Sequence, residues 1–431
     1  LFLLPLGRRL EPALKLESFG VPIALLAGTI AILIGPYGKF HLLPQSVTDL
    51  WVQFPTPLLT LVFATLMLGR PIPSGKGIWK PVASQALVGL LMGFGQYLVG
   101  GLAVLFVLMP LLGVDPLMGC LIEVGFEGGH GAASIMGNSF ETLGFPEGLD
   151  LGLAMATVGL LSSTFLGTAL IIFGRWKGWV ANQTNNIDSQ SKLVIDQITL
   201  NQRIKDLASN MCFAGLAVLL GIIMLFLLRQ MAPFSGDILR QVLVSFPVFP
   251  LALLGSLLIR FTLEITDKTD FVSPLLQREI ATIATDLLII TAMASLNLPI
   301  LRQDWLPLTI LSVAGLMWNL VGMLFFARIT FRKEWFERAI TEFGNATGVA
   351  ASGILLLRLS DPTNRTNTLP VFSIKQLFLQ PLLSGGLITV IAPLAIVEIG
   401  LKGWTEICGI LTCLFCILAL AVEGLGNEET V

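Results

Sequence analysis

Phe126-Glu127-Gly128-Gly129-His130-Gly131-Ala132-Ala133-Ser134 is a polar, glycine-broken stretch set inside sequence that is otherwise apolar enough for a bilayer. A degenerate counterpart occurs at Phe343-Gly344-Asn345-Ala346-Thr347-Gly348-Val349-Ala350-Ala351-Ser352. Each interrupts a hydrophobic region at a matching place in one half of the chain. Paired interruptions of this kind point to the binding site of a secondary transporter.

The composition supports a membrane setting. Of 431 residues, 54% are hydrophobic and only 13% charged, against about 25% charged in globular proteins. A formal net charge of -2, with basic residues scattered among loops, gives no footprint for nucleic acid. The cysteines Cys120, Cys212, Cys408, Cys413 and Cys416 lie in apolar stretches and read as small packing residues. The opening run Leu1 to Leu6, cut off by Arg8 and Arg9, reads as the remnant of a first spanning helix.

A crossing needs about 20 mostly apolar residues. Charge-free intervals run over 18–38, 50–69, 81–114, 151–174, 209–228, 241–259, 305–327, 376–397 and, shorter, 407–422. A further span over about 280–300 is apolar except for Asp286. All are expected to be helices, because lipid offers no partner for an open strand edge. With the 175–207 loop on the cytoplasmic side, 21 of the 26 Lys and Arg fall on that side, in the loops around 8–18, 70–82, 175–207, 260–278 and 328–375. The first glycine stretch is then outward-facing and the second cytoplasmic.

Short internal matches suggest a duplication. Pro22-Ile23-Ala24-Leu25-Leu26 parallels Pro250-Leu251-Ala252-Leu253-Leu254, and Leu98-Val99-Gly100 parallels Leu320-Val321-Gly322, in the same order as the glycine stretches. Five spans per copy, an odd number, make the second copy inverted. The division expected is an N-terminal repeat over 1–174, a linker over 175–207, an inverted C-terminal repeat over 208–400 and an added helix and tail over 401–431.

Between Pro110 and Asp150 the arms Leu117 to Val124 and Ala132 to Leu143 are too short to cross, so residues 115–143 read as a re-entrant hairpin that lines a pathway. Gly128, Gly129 and Gly131 permit a sharp turn and a close backbone approach to a ligand. The arm that follows aims a helix N-terminus at the midplane, which suits a carboxylate. The second hairpin, 335–358, sets the side-chain oxygens of Asn345, Thr347 and Ser352 around Gly344 and Gly348, in the manner of a Na+ site at a helix break. Residues 81–174 hold six carboxylates and no Lys or Arg, so the outer vestibule favours cations.

Val114-Asp115-Pro116-Leu117-Met118-Gly119, Gly128-Gly129-His130-Gly131 and Met155-Ala156-Thr157-Val158-Gly159-Leu160 resemble the sodium/glutamate symporter family in residues and spacing, as do Gly7-Arg8 and Gln96. The resemblance is strong over about 80–180 and weak in the second half. It implies an all-α, multi-pass protein of the inner or plasma membrane, built of two inverted five-helix repeats. It further implies an elevator-type mechanism, a homodimer, and acidic amino acid uptake coupled to Na+. Glu127 stands where family members tend to carry a small or hydroxyl residue, and the second hairpin lacks the proline that usually ends its glycine run.

The expected substrate site is therefore Gln96, Gly128, Gly129, His130, Gly131, Ala132, Ser134, Asn345, Thr347 and Gly348. The expected Na+ ligands are Glu127, Asp286, Gly344, Asn345, Thr347 and Ser352. His130 either donates to a substrate carboxylate or caps the turn. Asp286 serves a cation, a substrate ammonium or packing alone, and an ionisable residue inside a span is functional by default. Gln96, Asn319 and Gln380 are amides within apolar spans. Two other functions compete: a passive channel with the hairpins as filter, and an intramembrane enzyme built on His130 and its neighbouring glutamates. The second is weak, because the chain holds only two histidines and no His-Glu-x-x-His spacing.

Overall fold

Small residues decide how these apolar helices meet, since lipid provides no hydrophobic drive between them and close packing must substitute. In a computed structural model of the chain, residues 23–36, 40, 42, 44–51, 53–69, 78–180, 200–234, 240, 243, 248–294, 298–361, 365–380 and 382–424 are described. Every regular element among them is helical. Six helices are long and apolar enough to cross a bilayer: Trp79–Leu112, Gly148–Trp176, Asp206–Phe234, Val248–Ile265, Trp305–Thr330 and Leu387–Val422. The protein is thus a multi-pass membrane protein.

In chain order the elements used below are α1 (Ile23–Ile34), α2 (Pro55–Leu68), α3 (Trp79–Leu112), α4 (Pro116–Gly125), α5 (Gly129–Thr142), α6 (Gly148–Trp176) and α7 (Leu200–Met231). The second half adds α8 (Val248–Ile265), α9 (Pro274–Ala294), α10 (Trp305–Thr330), α11 (Trp335–Thr347), α12 (Ala350–Ser360), α13 (Thr368–Leu379) and α14 (Leu387–Gly424). They pack as two groups. Helices α1, α2, α7, α8 and α9 contact one another, and α3 to α6 pack with α10 to α14. The groups meet chiefly where α5 lies against α2 and α9.

Glycines sit at the tight crossings. A Cβ on Gly221 of α7 would strike the backbone of Ala252 on α8, and one on Gly255 of α8 would strike the Ala217 carbonyl. In the second group, α3 presents Gly100 to the carbonyl of Gly119, Gly101 to Thr405 and Gly95 to the Trp318 ring. Met211, Leu219, Ile222, Phe226 and Leu227 of α7 stay exposed, as a lipid-facing flank requires.

Several expected spans need correction. The 376–397 interval is not one helix: α13 stops at Leu379 and α14 starts at Leu387. Between them Ser384 and Gly385 take left-handed backbone, with φ of 57° and 91°, a conformation open to glycine but costly for other residues. The 407–422 interval falls within a helix of its own, the stretch of α14 beyond the break at Gly400 (φ 79°), which runs to Gly424 and is longer than the charge-free interval. Asp286 does fall in a helix, but α9 covers Pro274–Ala294 rather than 280–300. Arg338 and Lys375 are buried, not loop residues, and so carry no weight in the charge bias. The Leu1 stub, Gly7-Arg8 and most of the 175–207 linker lie outside the described residues.

Candidate substrate and cation site

The first glycine stretch turns the chain back inside the protein. Going down α4, Gly119 lies at Gly100 of α3, the Glu123 carboxylate accepts the Tyr97 hydroxyl at 2.5 Å, and Glu127 Oε2 lies against Gly93. Arm α4 therefore runs antiparallel to α3. Arm α5 returns along the first half of α6: His130 Nε2 is 3.0 Å from Thr157 Oγ1, Ala133 packs on Gly152, and Leu149 on Gly137. The turn is possible because Gly129 adopts φ 67°.

The second glycine stretch makes a hairpin on the other half of α6. Arms α11 and α12 cross closely at Gly344 and Gly353, and the turn at Gly348 and Val349 separates them. Phe336 lies at Gly174 of α6 and Leu356 at Gly167, so this hairpin approaches from the Trp176 end while the first approaches from the Gly148 end. The tips meet at Gly159, where a side chain would strike both Phe126 and the Thr347 carbonyl. Val349 Cγ1 occupies the space beside Gly129.

A helix end leaves carbonyls without intrahelical partners. At the end of α11 two amides supply them: Gln96 Nε2 donates to Ala346 O at 2.6 Å, and Asn319 Nδ2 to the same oxygen at 3.1 Å. Asn319 Nδ2 also donates to Thr347 Oγ1 (3.1 Å), and Gln96 Nε2 to Asn319 Oδ1 (3.2 Å). Asn345 links the hairpins, its Nδ2 donating to Glu127 Oε1 at 3.2 Å while its Oδ1 accepts Gln376 Nε2 at 2.6 Å.

The unforeseen turn at 380–386 joins the same knot. Ser384 Oγ donates to Glu127 Oε1 (3.2 Å), and the Ser384 N–H and Thr389 hydroxyl donate to Glu123 Oε1 (3.0 and 2.9 Å). Three donors, with Tyr97, thus hold the Glu123 carboxylate. Three other buried oxygens, Gln96 Oε1, Glu127 Oε2 and Gln376 Oε1, have no hydrogen-bond partner among the described residues. Buried acceptors left in this way are costly, and oxygen ligands of a carboxylate and amides are what a hard cation takes.

Of the expected site residues, the fold brings together Gln96, Glu127, Gly128, Gly129, His130, Asn345, Thr347 and Gly348. Ala132 lies against Gly385, and Gly131 packs on Leu59 of α2. Ser134 donates back to the His130 carbonyl at 2.7 Å. The Gly344 carbonyl accepts the Gly348 N–H, and Ser352 packs beside Gly348. Asp286 is half-buried on α9, which belongs to the other helix group and packs against α5 of the first hairpin. Sequence reasoning missed Gln376, Ser384 and Thr389, and singled out Gln380 one turn beyond Gln376. The usable signals were the Ser384-Gly385-Gly386 run and an amide four residues before Gln380.

Among curated proteins none matches the chain. The sodium/glutamate symporter family matches residues 1–335, from the first residue to the start of α11, so the second hairpin is read from its own geometry alone. With more than half of its length matched, the chain belongs to the sodium/glutamate symporter family.

Proposed function

We propose that the chain imports glutamate, or a closely related acidic amino acid, by Na+ symport. The observation that carries this reading is the knot of Gln96, Glu127, Asn319, Asn345 and Gln376 at the meeting of two hairpin tips, with three buried oxygens unpartnered. The tips suit both ligands. Helix N-termini at Gly129 to Gly131 and Ala350 to Ser352 favour a substrate carboxylate, with His130 beside it. The end of α11, with the dipole's negative pole and Glu127, favours Na+, and Asn345, Thr347, Gln96 and Gln376 are the candidate side-chain ligands. Asp286 and the Gly344 carbonyl are the remaining candidates.

The transport mechanism we infer is an elevator of two inverted repeats. Its support is a recurring order. Long helices α3 and α10 each carry a π-helical turn, Val104–Leu108 and Gly322–Ala327. Each is followed by a hairpin that starts at Pro116 or Trp335, then by a helix that starts at Gly148 or Thr368. The His130–Thr157 bond lies nine residues into α6, about 14 Å along its axis, close to half of a ~30 Å hydrocarbon core. The hairpins are thus re-entrant in this reading, the first from outside and the second from the cytoplasm, with 175–207 cytoplasmic. The carrier is a homodimer, as the family resemblance implies.

The test is uptake of radiolabelled L-glutamate into proteoliposomes with and without an inward Na+ gradient. Accumulation above the external concentration only with the gradient is expected. Uptake indifferent to Na+ overturns the reading, and dissipation without accumulation would indicate a channel.

A further inference from the structure

One buried ion pair takes no part in the knot. Lys375 Nζ on α13 lies 2.6 Å from Glu342 Oε1 on α11, and both side chains are fully excluded from solvent. Two charges withdrawn from water are poor stabilisers, so such a pair is weak as a purely structural device. Glu342 does not depend on Lys375 alone. Its Oε2 accepts Gln85 Nε2 at 2.8 Å, and Gln85 Oε1 in turn accepts the Nε of Arg338, one turn back on α11, at 2.9 Å. Arg338 Nη2 is anchored on Pro81 O and Ser84 Oγ.

On the same face of α3 lie Gly89 and Gly93. A Cβ on Gly89 would lie 2.7 Å from Lys375 Nζ and 2.9 Å from Glu342 Oε1, and one on Gly93 would lie 3.1 Å from Glu127 Oε2. Such i, i+4 positions are about 5–6 Å apart. The ammonium and Glu127 Oε2, which has no partner among the described residues, are therefore roughly one helical turn apart, along a stretch of α3 where the glycines leave room for Lys375 and for the Leu383 side chain, 2.7 Å from where a Gly93 Cβ would lie. A lysine's flexible four-carbon stem can cover that span once the Leu383 side chain turns aside.

We propose that Lys375 is a tethered cation of the transport cycle: its ammonium moves from Glu342 to Glu127 Oε2 when Na+ leaves, and returning Na+ sends it back. This rests on the symport reading above. An emptied carrier must recross the membrane, and a bare carboxylate in a low-dielectric interior opposes that step. Lys375 would neutralise Glu127 for the return, while Glu342 keeps its Gln85 bond and takes the Arg338 guanidinium, held through that same Gln85, as its counter-charge. At Glu127 one positive charge replaces another, although the body as a whole carries one positive charge fewer once Na+ has left.

The test compares wild type with Lys375→Met in two proteoliposome assays, net Na+-driven L-glutamate uptake and exchange with Na+ and glutamate on both sides. Only net uptake requires the empty return. Net uptake is expected to fall at least tenfold with exchange kept within about twofold, and half-saturating Na+ for exchange should fall because a competitor is gone. Equal losses in both assays at unchanged melting temperature, or no loss in either, overturn the proposal. Should Lys375→Met fail to assemble, Glu342→Gln/Lys375→Met removes both charges and must give the same split, and its absence there is equally fatal. A wild-type carrier that shows no Na+-dependent uptake would overturn the symport reading, and this inference with it.

Discussion

Gly129→Ala separates backbone strain from contact at the hairpin tips, because Gly113 supplies a matched control. The two glycines have φ of 67° and 66°, but a Cβ at Gly113 meets nothing within 4 Å whereas one at Gly129 runs into Val349 Cγ1. Left-handed backbone costs a non-glycine residue about 1–2 kcal/mol, and this falls on both variants. Gly129→Ala adds the overpacking of a methyl against Val349, typically about 1–3 kcal/mol, relieved only by parting the tips. If some 1.4 kcal/mol of that excess opposes the ligand-bound arrangement, affinity drops about tenfold. In Na+-driven glutamate uptake, Gly129→Ala should raise the half-saturating glutamate concentration roughly tenfold or more, and Gly113→Ala should leave it within twofold. Equal effects of the two substitutions would refute the reasoning, since strain alone would then account for both.

Other substitutions test separate contacts. Glu127→Gln keeps the side chain's shape but removes its charge, and should raise half-saturating Na+ at least tenfold in the same assay, an effect that a purely structural Glu127 would not produce. Asn319→Ala strips the donor from Thr347 Oγ1 and one of two donors from Ala346 O, which keeps Gln96, and with about 1–3 kcal/mol for a buried group left unpaired it should lower the melting temperature in detergent by several degrees. Tyr97→Phe removes one of the donors to Glu123 and should cost about 1–3 kcal/mol by the same accounting, read in the same melt. Gly221→Val should destabilise the α7–α8 crossing, while Gly215→Val, whose Cβ would meet nothing within 4 Å, should melt like wild type.

Much of this arrangement was legible in residues alone, for definite reasons. Charge-free length marks a crossing helix, and glycine clusters in apolar sequence mark a reversal, so α3, α6, α7, α10 and both hairpins stand close to where they were expected. The 380–386 turn escaped because Leu382 and Leu383 keep its surroundings apolar. A count of charges does not register that Ser384 and Gly385 leave helical backbone. Lys375 and Arg338 were assigned to a loop because their partners are remote in sequence: Glu342 is 33 residues from Lys375, and Gln85 is 253 from Arg338. Nothing local distinguishes a buried cation from a loop cation when its counter-charge comes from another helix. Asp286 lies on α9, in the other helix group, and a carboxylate within a span says nothing about which group its helix joins.

The distribution of polar contacts bears on how such a carrier moves. Glu123 ties the first hairpin to α3 and to the 384–389 segment, while Arg338 and Glu342 tie the second to α3 and α13. Gln96 and Asn319 fasten α3 and α10 to the end of α11. All of these bonds lie inside one helix group, and the hairpins are so bound into it that neither is free to swing as an independent flap. Toward the other group, α5 presents a different surface: Gly131 against Leu59, and Ile135 against the apolar cluster of Phe63, Met67, Phe249 and Leu253. Val349 likewise packs on the apolar cluster that α1 and α9 form with Leu160 of α6. Non-directional apolar contact can be remade after a displacement, whereas a buried hydrogen bond must find a new partner or pay for its loss. A rigid body bonded within itself and greased where it meets its neighbour is the mechanical requirement of the elevator proposed above. Under that proposal Gly159, which both hairpin tips touch, belongs inside the moving body and is not a hinge between bodies.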